Sequence, residues 1–160
     1  MTGSKAQIDR RAQGFIQTCR RGGMKMTHQR MEIFHELAAS EAHPDAETVF
    51  QAVSKRVPSL SRDTVYRTLS TLEAEGLIRK VGPVSESVRY DANMDRHHHF
   101  VCTTCGQVSD FYSEALDRLP LPESLESLGV IDFAQVQVRG TCSACALREE
   151  KTQTRRSEES

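Results

Sequence analysis

The stretch Ser61-Arg62-Asp63-Thr64-Val65-Tyr66-Arg67-Thr68-Leu69-Ser70-Thr71-Leu72-Glu73-Ala74-Glu75-Gly76-Leu77-Ile78-Arg79-Lys80-Val81 decides how the amino-terminal half is read. The Ser61 hydroxyl can accept the free N–H groups that open a helix. Val65, Leu69 and Leu72 recur at the intervals that place side chains on one helix face. Arg62, Tyr66, Arg67 and Ser70 fall on another face. Gly76 supplies a stop, because glycine tolerates the left-handed turn that ends many helices. The spacing therefore predicts a helix over 62–75. Two strand-like runs follow, Leu77–Val81 and Ser87–Tyr90, across the turn-forming Gly82-Pro83-Val84-Ser85-Glu86.

Working back toward the amino end, three more helices are predicted. Residues 6–21 carry Ile8, Ala12, Phe15, Ile16 and Cys19 at helical spacing and stop at Gly22-Gly23. Thr27 can cap a second helix bearing Met31, Phe34 and Leu37, which breaks at His43-Pro44. Asp45 can cap a third, with Val49, Phe50 and Val53, that ends before Pro58. Short helices followed by a β-hairpin make a winged helix. Its outward Arg62, Tyr66, Arg67 and Ser70 would face the major groove of double-stranded DNA, where Arg67 could grip a guanine through two hydrogen bonds. Charge agrees: residues 1–90 hold 14 Lys+Arg against 10 Asp+Glu, while residues 91–160 hold 7 against 12. A basic half next to an acidic half points to a polyanion partner for the former. The alternative is an ordinary solvated surface.

From residue 97 the pattern changes to short strands, His99–Cys102, Gln107–Phe111 and Ile131–Val138. A short helix is expected near Ser113–Leu119 and another turn of helix after Pro122. The predicted fold class is α+β. A winged-helix domain over residues 1–90, with a hinge at 84–95, precedes a small α/β domain over 96–147 with a four-cysteine zinc site. Residues 148–160 form a charged tail without apolar pattern, expected to be disordered. No apolar run approaches the ~20 residues of a membrane span. The polar amino end lacks a signal-peptide core, so a cytoplasmic chain is expected. Disulfides are then disfavoured, and the five cysteines need another explanation.

Cys102-x2-Cys105 and Cys142-x2-Cys145 are two knuckles separated by 36 residues. Four thiolates match tetrahedral zinc and fill every coordination position, so such a site is structural. It would staple a domain too small for a full core. A redox pair or idle thiols are the alternatives. Cys19 reads as a small core residue. His97 and His99 point to one face of a strand and His98 to the other. Two imidazoles on one face are half of a metal site, and Asp91 and Asp110 are candidate carboxylates. Imidazole with carboxylate suits Fe²⁺, Mn²⁺ or Zn²⁺. His28 and His35 read as surface or core residues.

Taken together these residues resemble the ferric uptake regulator superfamily. The matching pieces are Met26-Thr27-His28-Gln29-Arg30, His43-Pro44, Ser61 to Leu69, Gly76-Leu77-Ile78, Arg89-Tyr90-Asp91, His97 to Cys105, Gly106, Asp110-Phe111 and Cys142-Ser143-Ala144-Cys145. The resemblance implies a homodimer whose carboxyl-terminal domain dimerises, binding inverted-repeat operator DNA. It implies structural zinc on Cys102, Cys105, Cys142 and Cys145. It also implies a regulatory Fe²⁺ or Mn²⁺ on His43, Asp91, His97, His99 and Asp110. Asp91 and Asp110 resemble the peroxide-sensing branch, since iron sensors usually carry Glu where this chain has Asp110. In that branch iron and hydrogen peroxide oxidise a ligand histidine, here His43 or His97, and DNA is released. A further family metal site would use His98, Asp117 and a later His, but no His follows His99. Arg67 resembles the iron sensors instead, which keeps an iron- or zinc-uptake repressor as the alternative. A zinc hydrolase is disfavoured, because no His-Glu-x-x-His occurs and no Glu neighbours His97–His99. A passive metal-buffering module would bind no specific DNA.

Overall fold

The computed structural model describes residues 5–82 and 88–149. The chain divides into two compact units, Met1–Asp95 and Arg96–Ser160. Each has its own means of holding together.

The first unit runs α1 (Lys5–Gly22), α2 (His28–Ala39), α3 (Ala46–Ser54), α4 (Arg62–Ala74), β1 (Arg79–Val81) and β2 (Arg89–Asp91). The expected caps form. Thr27, Asp45 and Ser61 accept from the N–H groups of Arg30, Thr48 and Thr64. Each satisfies one of the backbone donors that a helix start leaves open. Gly23 and Gly76 take positive φ of 66° and 68° just beyond α1 and α4. The apolar faces then meet in one core of Phe15, Ile33, Phe34, Leu37, Val49, Val53, Val65, Leu69 and Leu72. Phe15 stacks on Phe34 with ring centroids 4.6 Å apart, which joins α1 to α2. Cys19 is buried in this core, as its helical position implied.

β1 and β2 pair antiparallel, with Arg79 opposite Asp91 and Val81 opposite Arg89. Part of the expected turn, and Ser87, fall on residues 83–87, outside the described residues. β2 is also sewn to the loop between α2 and α3. The Tyr90 N–H donates to the Pro44 carbonyl at 3.1 Å, and the Arg89 guanidinium donates to the His43 carbonyl at 3.2 Å. His43 itself has φ +48°, the one non-glycine residue with positive φ among the described residues. Such a conformation costs about 1–3 kcal/mol and persists where the surroundings enforce it.

The second unit contains β3 (His98–Cys102), β4 (Val108–Phe111), α5 (Glu114–Asp117), a 3-10 turn (Glu123–Leu125) and β5 (Gln137–Gly140). Residues 143–149 are helical, which the sequence pattern did not suggest. The strand order is β4-β3-β5, antiparallel between β3 and β4 and parallel between β3 and β5. The expected strand Ile131–Val138 is corrected to Gln137–Gly140. The parallel register sets Gln137 against His99 and Gly140 against Cys102, so pairing begins late in the apolar run. The earlier apolar residues stay on the surface: Leu128 is 80 % exposed, Val130 94 % and Phe133 54 %. The charged tail lies outside the described residues from residue 150 onward.

Gly14 sits inside α1, where a Cβ would meet no atom within 4 Å. Gly14→Ala is therefore expected to raise stability by about 0.5–1 kcal/mol, by removing backbone freedom from the unfolded chain. Urea denaturation followed by far-UV circular dichroism checks this; a loss of stability would mean that α1 packs differently.

Candidate metal centre and nucleic-acid face

The cysteine pairs are brought together by the parallel pairing of β3 with β5. Cys102 ends β3, opposite Gly140, and the Thr103 N–H donates to the Gly140 carbonyl at 2.8 Å. Cys105 follows in the turn that Gly106, at φ +71°, completes. Cys142 lies just past β5, and Cys145 lies in the helical residues 143–149. The four Sγ atoms lie within 4.8 Å of one another, and Cys105 Sγ is 3.9 Å from Cys142 Sγ. Tetrahedral zinc with ~2.3 Å bonds sets its sulfurs roughly 3.8 Å apart, so the set fits zinc. Electrostatics agrees. The Cys142 N–H, 3.3 Å from Cys102 Sγ, and then the Cys105 N–H pull the Cys102 thiol down to about 6. The neighbouring Cys142 and Cys105 thiols push Cys145 up to about 12. The first thiolate is welcome and the last is refused. A bound dication reverses that refusal, because it makes each thiolate an attractive neighbour.

Imidazoles and a carboxylate converge in the same unit. The pleat puts His97 and His99 on one side of β3, with their Nε2 atoms 3.0 Å apart. His99 is the cross-strand neighbour of Asp110 on β4. Asp110 Oδ1 lies 3.3 Å from His99 Nε2 and 3.5 Å from His97 Nε2. Adjacent ligands on an ion with ~2.1 Å bonds are about 3 Å apart, so these three atoms fit one divalent ion. His98 points the other way, as the alternation requires. Its Nδ1 accepts from the Val136 N–H at 3.2 Å, and its Nε2 lies 3.3 Å from Asp117 Oδ1. Asp117 in turn holds Arg96, whose guanidinium donates to the Asp117 carbonyl at 3.0 Å. The chain thus gives His98 Nδ1 a hydrogen bond, while Nε2 has the Asp117 carboxylate beside it without a formed hydrogen bond.

Sequence reading missed Gln135, whose amide meets His99 Nδ1. In this orientation the Gln135 N–H donates to Nδ1 and leaves the proton on Nε2. Turned end for end, the amide oxygen would accept from Nδ1–H and free the Nε2 lone pair for a metal. The apolar residues around Gln135 hid this role, and only the β3–β5 register reveals it.

In the first unit, His43 and Asp91 are buried together. Asp91 Oδ1 lies 3.7 Å from His43 Nε2 and accepts from the Asn93 N–H at 2.7 Å. The contacts of Arg89 and Tyr90 with the His43-Pro44 backbone fix this pair, since Asp91 is the next residue of β2.

The outward face of α4 is largely as the sequence placed it. Tyr66 is 53 % exposed, and Ser70 is exposed. Arg67 is exposed and makes an i,i+4 contact with Asp63 at 3.2 Å. A polar groove of about 380 Å³ runs beside it, with Lys25, Gln29 and Arg30 on one side and Thr64, Arg67 and Thr71 on the other. Lys25 and Arg30 were visible in sequence only as part of the basic excess. Arg62 is exposed as well, but Glu47 engages its guanidinium through two hydrogen bonds of 2.9 and 2.8 Å. Among the described residues no helix is long and apolar enough to cross a membrane.

Comparison with known proteins follows the same lines. A model described as the Ferric uptake regulator family matches residues 21–134. The peroxide-responsive repressor PerR of Staphylococcus epidermidis is 29 % identical over 146 residues, covering 91 % of this chain and 97 % of its own. The peroxide stress regulator of Campylobacter jejuni superposes with a TM-score of 0.64 at 28 % identity, covering 81 % of this chain and 98 % of its own. The ferric uptake regulator of Francisella tularensis, solved with iron, superposes with a TM-score of 0.60 at 28 % identity, covering 78 % and 96 %.

Cys142→Ser should remove about one zinc per chain and lower the thermal midpoint by several degrees or more, because a structural zinc contributes directly to folding. Metal analysis of purified protein beside a melting curve tests it. Unchanged zinc content would exclude this cluster as the zinc site.

Proposed function

The chain belongs to the ferric uptake regulator family, and on that premise we propose that it is a metal-dependent, peroxide-responsive repressor that binds operator DNA as a homodimer. The observation that carries this reading is the convergence of His97 Nε2, His99 Nε2 and Asp110 Oδ1. We assign His43 and Asp91 to the same regulatory ion, as the resemblance implies. An ion with ligands in both units binds best in the arrangement that brings the ligands together, and so couples metal occupancy to DNA affinity.

Iron(II), if held by His43, Asp91, His97, His99 and Asp110, would supply the reducing electron for peroxide, and manganese(II) on the same ligands would not. The chain's own part is to present oxidisable imidazoles. We assign His43 and His97 as the residues modified, and loss of either removes a ligand. Two aspartates, Asp91 and Asp110, support the peroxide branch. Arg67 favours a second reading, an iron- or zinc-uptake repressor on the same scaffold.

Zinc on the four cysteines is assigned a structural role. The exposed apolar surface at Leu128, Val130, Ile131 and Phe133 is the natural seat of a second copy. On the DNA face, Tyr66, Arg67 and Ser70 are assigned to base edges and phosphates. Lys25 and Arg30 along the groove are assigned to the backbone, the usual division between specifying and positioning contacts. A repressor of this kind works in the cytoplasm.

The test is operator binding by the Fe²⁺ and Mn²⁺ forms, each before and after hydrogen peroxide, with mass spectrometry of the same samples. Peroxide is expected to abolish binding by the iron form alone and to add one oxygen (about 16 Da) to His43 or His97. Binding that survives peroxide with both ions, without added oxygen, would replace this reading with the uptake repressor.

A further inference from the structure

Arg62 is the first residue of α4, and its side chain is only partly free to face a ligand. Its Nε donates to Glu47 Oε2 at 2.9 Å and its Nη2 donates to Glu47 Oε1 at 2.8 Å. The two planar groups meet fork to fork, the geometry that gives an Arg–carboxylate pair its strength and its direction. The guanidinium carbon also lies 4.3 Å from the centroid of the Phe50 ring. Glu47 and Phe50 sit three residues apart on α3, so one edge and one face of the guanidinium both belong to that helix. Gln51, one turn on from Glu47, donates its amide to Glu47 Oε1 at 3.2 Å and steadies the carboxylate. These contacts hold the Glu47 carboxyl below its ordinary range, with the Arg62 hydrogen bonds the main cause.

Arg67 on the same helix offers a contrast. Among the described residues its one ion pair is a single contact with Asp63 on its own helix, with no aromatic contact. Arg67 can therefore turn toward DNA at little cost. Arg62 would first give up a fork and a ring face. Glu47 also cancels the charge that Arg62 would bring to a phosphate.

We propose that Arg62 is a positioning residue that braces the start of the DNA-facing helix α4 against Glu47 and Phe50 of α3, and does not read bases. The proposal rests on the DNA-binding reading above and sharpens it. A brace at the first turn of α4 sets the angle at which Tyr66, Arg67 and Ser70 are presented. Its loss weakens every operator sequence alike.

The role of Glu47 separates the alternatives. A brace needs both partners, so Glu47→Ala and Arg62→Ala each weaken operator binding, on the order of three- to tenfold. The double variant is then no worse than the weaker single one, because the two residues act as a unit. The slope of log affinity against log salt stays that of the wild type, since no phosphate contact is lost. If Arg62 reads DNA, Glu47→Ala leaves affinity unchanged or raises it by removing a competing anion. Arg62→Ala then loses preference at one base pair or flattens the salt slope. Arg62→Lys keeps the charge and loses the fork, and it too should bind weakly.

The experiment is fluorescence anisotropy with Mn²⁺-loaded dimer, on an operator and its single-base variants at several salt concentrations, with melting curves for each variant. Undiminished affinity in Glu47→Ala or Arg62→Lys overturns the brace while leaving the repressor reading intact. Absence of operator binding by the wild type overturns the repressor reading and the brace with it.

Discussion

The second unit depends on four sulfur atoms drawn within 4.8 Å of one another. Its buried apolar side chains, among the described residues, are Val101, Cys102, Val108 and Cys145. Two of the four are cysteines of the thiol cluster, which stands where a larger domain would have a core. A handful of buried side chains cannot offset the conformational entropy of ordering such a unit. A metal bond linking the end of β3 to residues 142–145 can. The cluster lies at the ends of β3 and β5, whose register brings Gln135 and Val136 to the ring nitrogens of His99 and His98. The sulfur staple and the histidine face are thus two ends of one five-residue strand.

The first unit relies on a different principle, an ordinary packed core with well-made helix caps. Its one non-glycine residue with positive φ among the described residues, His43, lies where function is proposed. His43 is held at positive φ while the Arg89 guanidinium grips its carbonyl. The same strand that delivers Arg89 delivers Asp91 two residues later. His43 is thus tied to Asp91, its buried neighbour, through three consecutive strand residues.

What could be read from sequence was whatever depends on near neighbours. Thr27, Asp45 and Ser61 announced their helices because a cap acts on the N–H three residues on. His97 and His99 announced a shared face because strand alternation is fixed at two. The paired cysteines announced themselves because zinc knuckles need close spacing. What escaped depends on pairing at a distance. Glu47 and Arg62 are both charged residues on amphipathic helices, and nothing local says that their side chains meet fifteen residues apart. Ile131 and Phe133 look in sequence like a buried strand, whereas the β3–β5 pairing begins at Gln137 and leaves both exposed. The helical residues 143–149 and the amide of Gln135 on His99 likewise follow from tertiary pairing alone.

Under the proposed function, one regulatory ion takes ligands from both units and so couples metal to DNA. Such coupling is reciprocal: whatever factor the ion contributes to DNA affinity, DNA must contribute to ion affinity. The most direct measurement is the Mn²⁺ affinity of the zinc-loaded dimer with and without saturating operator DNA. The account predicts that operator tightens Mn²⁺ binding by the same factor by which Mn²⁺ tightens operator binding. Equal Mn²⁺ affinity in the presence and absence of operator would contradict it.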